Sequence, residues 1–233
     1  MYRRYPRFAA TLLILLLPLL AFSARAQTGL AYALAPEEGR ADAPLVVALH
    51  GLGTNERDLL PLAEYLPEGW RMLAVRAPFV LSGQRYRWFE GTVVEGFGPG
   101  LEQDVAEGRE AVLATIDEAL AEQGLAPSRL YLLGFSQGAA MAAEVLISAP
   151  ERFDGAALLS GFLVDDTRRV ELDGANVLVI HGDADARVPP QHGERTARWF
   201  ERQGATTSWS LHPSLGHGID AEVLDELNAW WAD

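Results

Sequence analysis

The sequence predicts an α/β fold: an open, mostly parallel central sheet with helices on both faces. Three observations predict it. Short apolar runs alternate with longer amphipathic ones along most of the chain. Runs such as Leu45 to Leu49 are apolar without interruption, as expected of strands buried on both faces. Polar, glycine-flanked residues follow several of these runs, at the carboxyl ends of strands where such sheets bind ligands.

Taken in order, Ala31 to Leu34 reads as an edge strand and Leu45 to Leu49 as a central one. A helix is expected near Glu56 to Leu66, then a strand near Met72 to Val75. Residues 78–100 break the rhythm, with two prolines, several glycines and the aromatics Tyr86, Trp88, Phe89 and Phe97. No helix or strand period fits them, so a long functional surface loop is expected. Helical spacing returns over Leu101 to Glu122, with Val105, Val112, Ile116 and Leu120 apolar. A strand at Leu130 to Leu133 leads into the small-residue run Ala139 to Ala143, which reads as a helix. Strands are expected at Ala156 to Leu159, Val177 to Ile180 and Thr206 to Leu211. Helices are expected at Pro190 to Gln203 and Glu222 to Trp231. With no internal repeat, linker or low-complexity tract, residues 27–233 read as one domain with no large cap.

Residues 1–26 read as a signal peptide. Arg3, Arg4 and Arg7 form a basic start, Ala9 to Phe22 is apolar, and Ala24-Arg25-Ala26 supplies a cleavage pattern before Gln27. The apolar stretch is shorter than the ~20 residues of a spanning helix, and Pro18 interrupts it, which disfavours an uncleaved anchor. An exported chain, periplasmic or secreted, without stable membrane insertion is the expectation. It contains no cysteine, so it forms no disulfide.

The 233 residues suffice for a sizeable core, and 49% hydrophobic with 22% charged residues argues against disorder. The formal charge is −13; four of the 19 basic residues and none of the 32 acidic ones precede Gln27, so a chain starting there carries −17. Such a surface repels nucleic acid at long range.

The most specific feature is Gly134-Phe135-Ser136-Gln137-Gly138, between the apolar strand and the small-residue helix. Strand, sharp turn and helix with a serine at the apex is the sequence form of a nucleophile elbow. A serine hydroxyl needs a base, usually a histidine oriented by a carboxylate. Both follow in the order Ser, Asp, His. The strand Val177 to Ile180 runs into His181-Gly182-Asp183-Ala184-Asp185, where Asp183 and Asp185 compete for the carboxylate role. Asp185 is favoured, because Asp183 follows glycine in the tight part of the turn and suits a loop-fixing role. The last strand leads to His212-Pro213-Ser214-Leu215-Gly216-His217-Gly218. His217, between glycines, can reach back over the elbow; His212, beside proline, suits a structural one. His50 and His181 read as loop-shaping and His192 as solvated on its helix. An oxyanion formed at the elbow needs backbone N–H donors. Gln137, after the serine, offers one; Leu52, in His50-Gly51-Leu52-Gly53, offers another.

His50-Gly51-Leu52-Gly53, Gly134-Phe135-Ser136-Gln137-Gly138, His181-Gly182-Asp183-Ala184-Asp185 and Gly216-His217 together resemble the phospholipase/carboxylesterase family of α/β-hydrolases. The resemblance runs from about Leu45 to the end. It implies a Ser136–His217–Asp185 triad, an oxyanion site from Leu52 and Gln137, and ester or thioester hydrolysis with neither cofactor nor metal. Trp88-Phe89-Glu90 looks like the family's Trp-Phe-Asp segment, and Ser160-Gly161-Phe162-Leu163 like its loop beside the acyl pocket. Trp88, Phe89, Phe162 and Leu163 are therefore expected to bind substrate, with core packing as the alternative for the three aromatics. Glu90 in place of aspartate and Ala186 in place of proline depart from the pattern. The expected activity is that of a serine carboxylesterase acting on a small ester or lysolipid, lysophospholipase or acyl thioesterase being the alternative. A homodimer is compatible with the sequence. A non-catalytic binding protein on this scaffold is disfavoured, since all three triad residues are present. No propeller or cap is present to select peptides, and a dienelactone-hydrolase-like site would use cysteine.

Overall fold

In the computed structural model, which describes residues 29–232, all five side chains of the strand Leu45–Leu49 are buried. Leu45, Val47 and Leu49 enter one core cluster, and Val46 and Ala48 enter another. The uninterrupted apolar run is thus the signature of a sheet covered on both sides. The signal peptide expected over residues 1–26 lies outside the described residues.

In chain order, β1 (Tyr32–Ala35) and β2 (Leu45–Leu49) precede a short 3-10 helix at Leu60–Tyr65 and β3 (Arg71–Val75). Next come β4 (Phe79–Ser82), β5 (Arg85–Arg87), β6 (Gly91–Thr92) and β7 (Gly96–Phe97). Then follow α1 (Leu101–Glu122), β8 (Leu130–Phe135), α2 (Gln137–Ser148), β9 (Gly155–Leu159), β10 (Asn176–Gly182), α3 (Gln191–Arg202), β11 (Thr206–His212) and α4 (Ala221–Ala232). The main sheet runs β1-β3-β2-β8-β9-β10-β11. Only β1, at the edge, is antiparallel to its neighbour. Apolar residues of α1, α2 and α3 form one core with the sheet. Val223, Leu227 and Trp231 of α4, with Leu59 and Trp70, form the other. Among the described residues no helix is long and apolar enough to cross a membrane.

Two expectations are corrected. The helix expected near Glu56 to Leu66 is only the 3-10 turn Leu60–Tyr65, with Pro61 at its start. Asn55 Oδ1 accepts the Arg57 N–H at 3.0 Å, and Glu56 is held by Arg76 through bonds of 2.6 and 2.7 Å. The local Asn55 bond, the longer-range Arg76 pair and the proline, which lacks a donor, replace the first α-turn. Residues 78–100 are not a featureless loop but carry two antiparallel hairpins, β4–β5 and β6–β7. Their strands are two to four residues long, too short for a period to show.

The chain order places the functional ends. From β2 the sheet grows one way through β3 and the other through β8, so the topological switch lies between β2 and β8. Leu49 pairs with Gly134 there, which sets the turn after β2 beside the turn after β8.

Candidate active site

Ser136 stands between β8 and α2 with φ 57° and ψ −120°, a conformation rare for a residue with a side chain. Packing imposes it. A Cβ on Gly134 would sit 2.4 Å from the Ala139 Cα, and one on Gly138 would sit 2.0 Å from the Leu49 carbonyl oxygen. The turn can pass between β2 and α2 only with glycine at both places.

Three predicted residues meet at this point. His217 Nε2 lies 2.9 Å from Ser136 Oγ, and His217 Nδ1 lies 2.7 Å from Asp185 Oδ2. The carboxylate fixes Nδ1 as the donor, leaving Nε2 to accept the serine proton. The His217 ring rests on Phe135, with centroids 4.9 Å apart. The side chain of Asp185 is fully buried, and its other oxygen accepts the N–H groups of Arg187 and Val188, each at 2.9 Å. Burial opposes ionisation of Asp185, but the bonds from His217, Val188 and Arg187 outweigh it and hold the carboxyl below its usual range. Asp183, the competing carboxylate, instead accepts the Ser214 N–H at 2.7 Å and fixes the histidine loop.

Behind Asp185 lies His181, whose Nε2 is 2.8 Å from the Val188 carbonyl and 3.3 Å from Asp185 Oδ2. Two acceptors place the proton on Nε2, and burial lowers this imidazole's pKa. His212 pairs with Glu226 at 2.8 Å, a structural contact as expected. His192 is half-buried rather than solvated, edge-on to Phe162 at 6.5 Å.

A cavity of about 450 Å³ opens over Ser136, lined by Leu52, Phe135, Gln137, Phe162, Val188 and His217 among others. A Cβ on Gly51 would lie 3.5 Å from the Ser136 Cβ, so the Gly51-Leu52 backbone passes close to the hydroxyl. The Gln137 N–H begins α2, where helix amides lack internal acceptors and the dipole favours negative charge. Among the described residues, no backbone carbonyl of a turn, loop or cap takes the N–H of Leu52 or Gln137. Both residues reach the cavity wall, where such donors can face an oxyanion.

Trp88 and Phe89, expected at the substrate, are instead wholly buried and absent from the cavity wall. The Gln137 side chain holds them behind it: Oε1 accepts the Trp88 N–H at 2.8 Å, and Nε2 donates to the Phe89 carbonyl at 2.9 Å. Phe162 lines the cavity, whereas Leu163 faces an adjoining groove with Val93, Phe97 and His192. Sequence reasoning missed the outer wall, Gly91 to Glu95. Gly91 and Gly96, at φ 97° and 89°, bracket that hairpin, and their spacing was the available signal. Among the described residues no cluster of three or more His, Asp or Glu side chains is arranged to hold a metal ion.

A mostly parallel sheet, with a serine on a strained strand-to-helix turn at its switch point, defines an α/β-hydrolase. More narrowly, the chain belongs to the phospholipase/carboxylesterase family, whose model matches residues 32–231. Over 116 residues it is 30% identical to acyl-protein thioesterase 1 of Gibberella zeae, covering 47% of this chain and 49% of that protein. Over 134 residues it is 28% identical to the carboxylesterase SOBER1 of Arabidopsis thaliana, covering 55% and 58%. The chain thus spans about half the length of these curated relatives. The crystal structure of a carboxylesterase from Mesorhizobium loti is similar at a TM-score of 0.75 and 26% identity, covering 86% of this chain and 93% of that one.

Proposed function

We propose that the protein is a serine carboxylesterase working through an acyl-enzyme. The observation that carries this is the unbroken hydrogen-bonded line Ser136–His217–Asp185 opening on the cavity at the switch point. Ser136 Oγ attacks the ester carbonyl carbon as its proton passes to His217 Nε2. The carbonyl electron pair moves onto oxygen, which the Leu52 and Gln137 amides stabilise. When the intermediate collapses, His217 gives its proton to the departing alcohol and the acyl group stays on Ser136. Water then attacks, His217 takes a proton from it, and the acid leaves as the serine is reprotonated. Asp185, held ionised by its three donors, keeps His217 in the required tautomer throughout.

The Ser136→Ala variant should lose p-nitrophenyl acetate hydrolysis and fluorophosphonate labelling while keeping its circular dichroism and melting temperature. Full activity in that variant would sink the assignment. The likeness to an acyl-protein thioesterase favours thioesters as a second substrate class for the same machinery. A chain-length series of p-nitrophenyl esters, run beside acyl thioesters, separates the two.

A further inference from the structure

Trp88 touches neither solvent nor the cavity, yet it is bonded to the backbone just before Leu52 and to the side chain of Gln137, the two residues that carry the amides. Its indole Nε1–H donates to the His50 carbonyl at 2.8 Å, immediately before Gly51-Leu52. Its backbone N–H donates to Gln137 Oε1 at 2.8 Å. The His50 ring is locked in turn. Its Nε2 accepts the Ala77 N–H at 3.0 Å, so Nδ1 carries the proton and lies 2.8 Å from the Gly51 carbonyl. Simple core packing does not require such bonding here: among the described residues, the buried indole N–H groups of Trp199, Trp230 and Trp231 bond to no protein acceptor.

We propose that Trp88 is a positioning residue that sets the separation of the Leu52 and Gln137 amides, and so shapes the oxyanion site from behind. This role rests on the serine mechanism proposed above. Backbone donors stabilise a tetrahedral oxyanion only when aimed at where its oxygen will be, so a small shift in one of them costs rate without costing substrate affinity.

The test is Trp88→Phe, which retains an aromatic ring against His50 and deletes the indole N–H. Three quantities are read: kcat and KM for p-nitrophenyl acetate, and the affinity of an arylboronic acid, whose adduct on the serine places an oxygen in the oxyanion site. We expect kcat to fall about 30-fold and boronate affinity by a similar factor, with KM within about twofold. A variant that melts lower but keeps the wild-type kcat and boronate affinity overturns the positioning role and leaves Trp88 as packing. Should Trp88→Phe not fold, Gln137→Met retains the backbone N–H, cuts the tie to Trp88 and Phe89, and is read by the same criteria. A wild-type protein that neither hydrolyses esters nor takes the fluorophosphonate label overturns the serine mechanism, and the Trp88 role with it. An active wild type with an unaltered Trp88→Phe overturns the Trp88 role alone.

Discussion

The floor of the cavity and its outer wall are built on opposite terms. The floor is β8 and the elbow, with β8 paired on both edges and no space for one methyl group at Gly134 or Gly138. The wall is the β6–β7 hairpin, enclosed at Gly91, whose Cβ would meet the Gly96 carbonyl oxygen at 2.2 Å, but beyond it loose, with strands of two residues, Val94 at 65% exposure and open space around Gly96. The Gln137 side chain ties the floor to Phe89, just before the wall, and at 3.4 Å to Gly91 at its start. The contrast shows where each task can sit. A strained serine persists only where its surroundings over-determine it. Residues that select a substrate can occupy a segment whose change costs the fold little.

The sharpest way to break this contrast is at Asp185. An asparagine there must turn its NH2 toward either the Arg187 and Val188 amides or the His217 Nδ1–H, and either choice disturbs the tautomer. We expect Asp185→Asn to keep its fold while kcat falls about 10⁴-fold, or ~5.5 kcal/mol of barrier. A loss of less than about tenfold would remove Asp185 from the mechanism. Next in size is glycine replacement. Gly138→Ala should destabilise by about 4 kcal/mol in urea unfolding, because its methyl meets the Leu49 carbonyl. Gly96→Ala should cost about 1 kcal/mol, from its left-handed φ alone. Equal losses would erase the distinction between floor and wall.

The smallest effect is acid sensitivity, which arises at buried histidines beside the floor, His50 after β2 and His181 in β10. Burial lowers the pKa of both His50 and His181, so each stays neutral in the fold at a pH where the unfolded chain protonates it. The unfolded state then binds more protons. Stability is complete above about pH 6.5 and declines below it, by at most ~1.4 kcal/mol per group per pH unit, until the folded pKa is reached. Urea midpoints at pH 7.5, 6.5 and 5.5 should fall in that order, with a shallower slope in His50→Gln. A flat profile would show that neither histidine resists protonation.

Much of this was legible in the sequence because the signals are local. Ser136, Asp185 and His217 each sit on a short loop after an apolar run, and a parallel sheet brings such loops to one edge whatever the detailed packing. Asp183 could be set apart from Asp185 by the turn chemistry of a residue following glycine. The helix expected near Glu56 was lost to bonds with Asn55 and Arg76, the second of them 20 residues distant. Trp88 and Phe89 resemble a substrate-facing segment in sequence. Whether an aromatic side chain faces a cavity or lies behind it depends on what it packs against.

The sequence by itself determined the alternation of strands and helices, the elbow, and the identity and order of the three side chains that meet there. Hydrophobic period and glycine sterics act over a few residues and can be read there. Only the tertiary structure decided that Gln137 bonds to Trp88 and Phe89, that His181 backs Asp185, and that Gly91 to Glu95 form the outer wall. Most of those choices join residues far apart in the chain. Each polar group took the partner that burial left within reach, and no local pattern records which one that is.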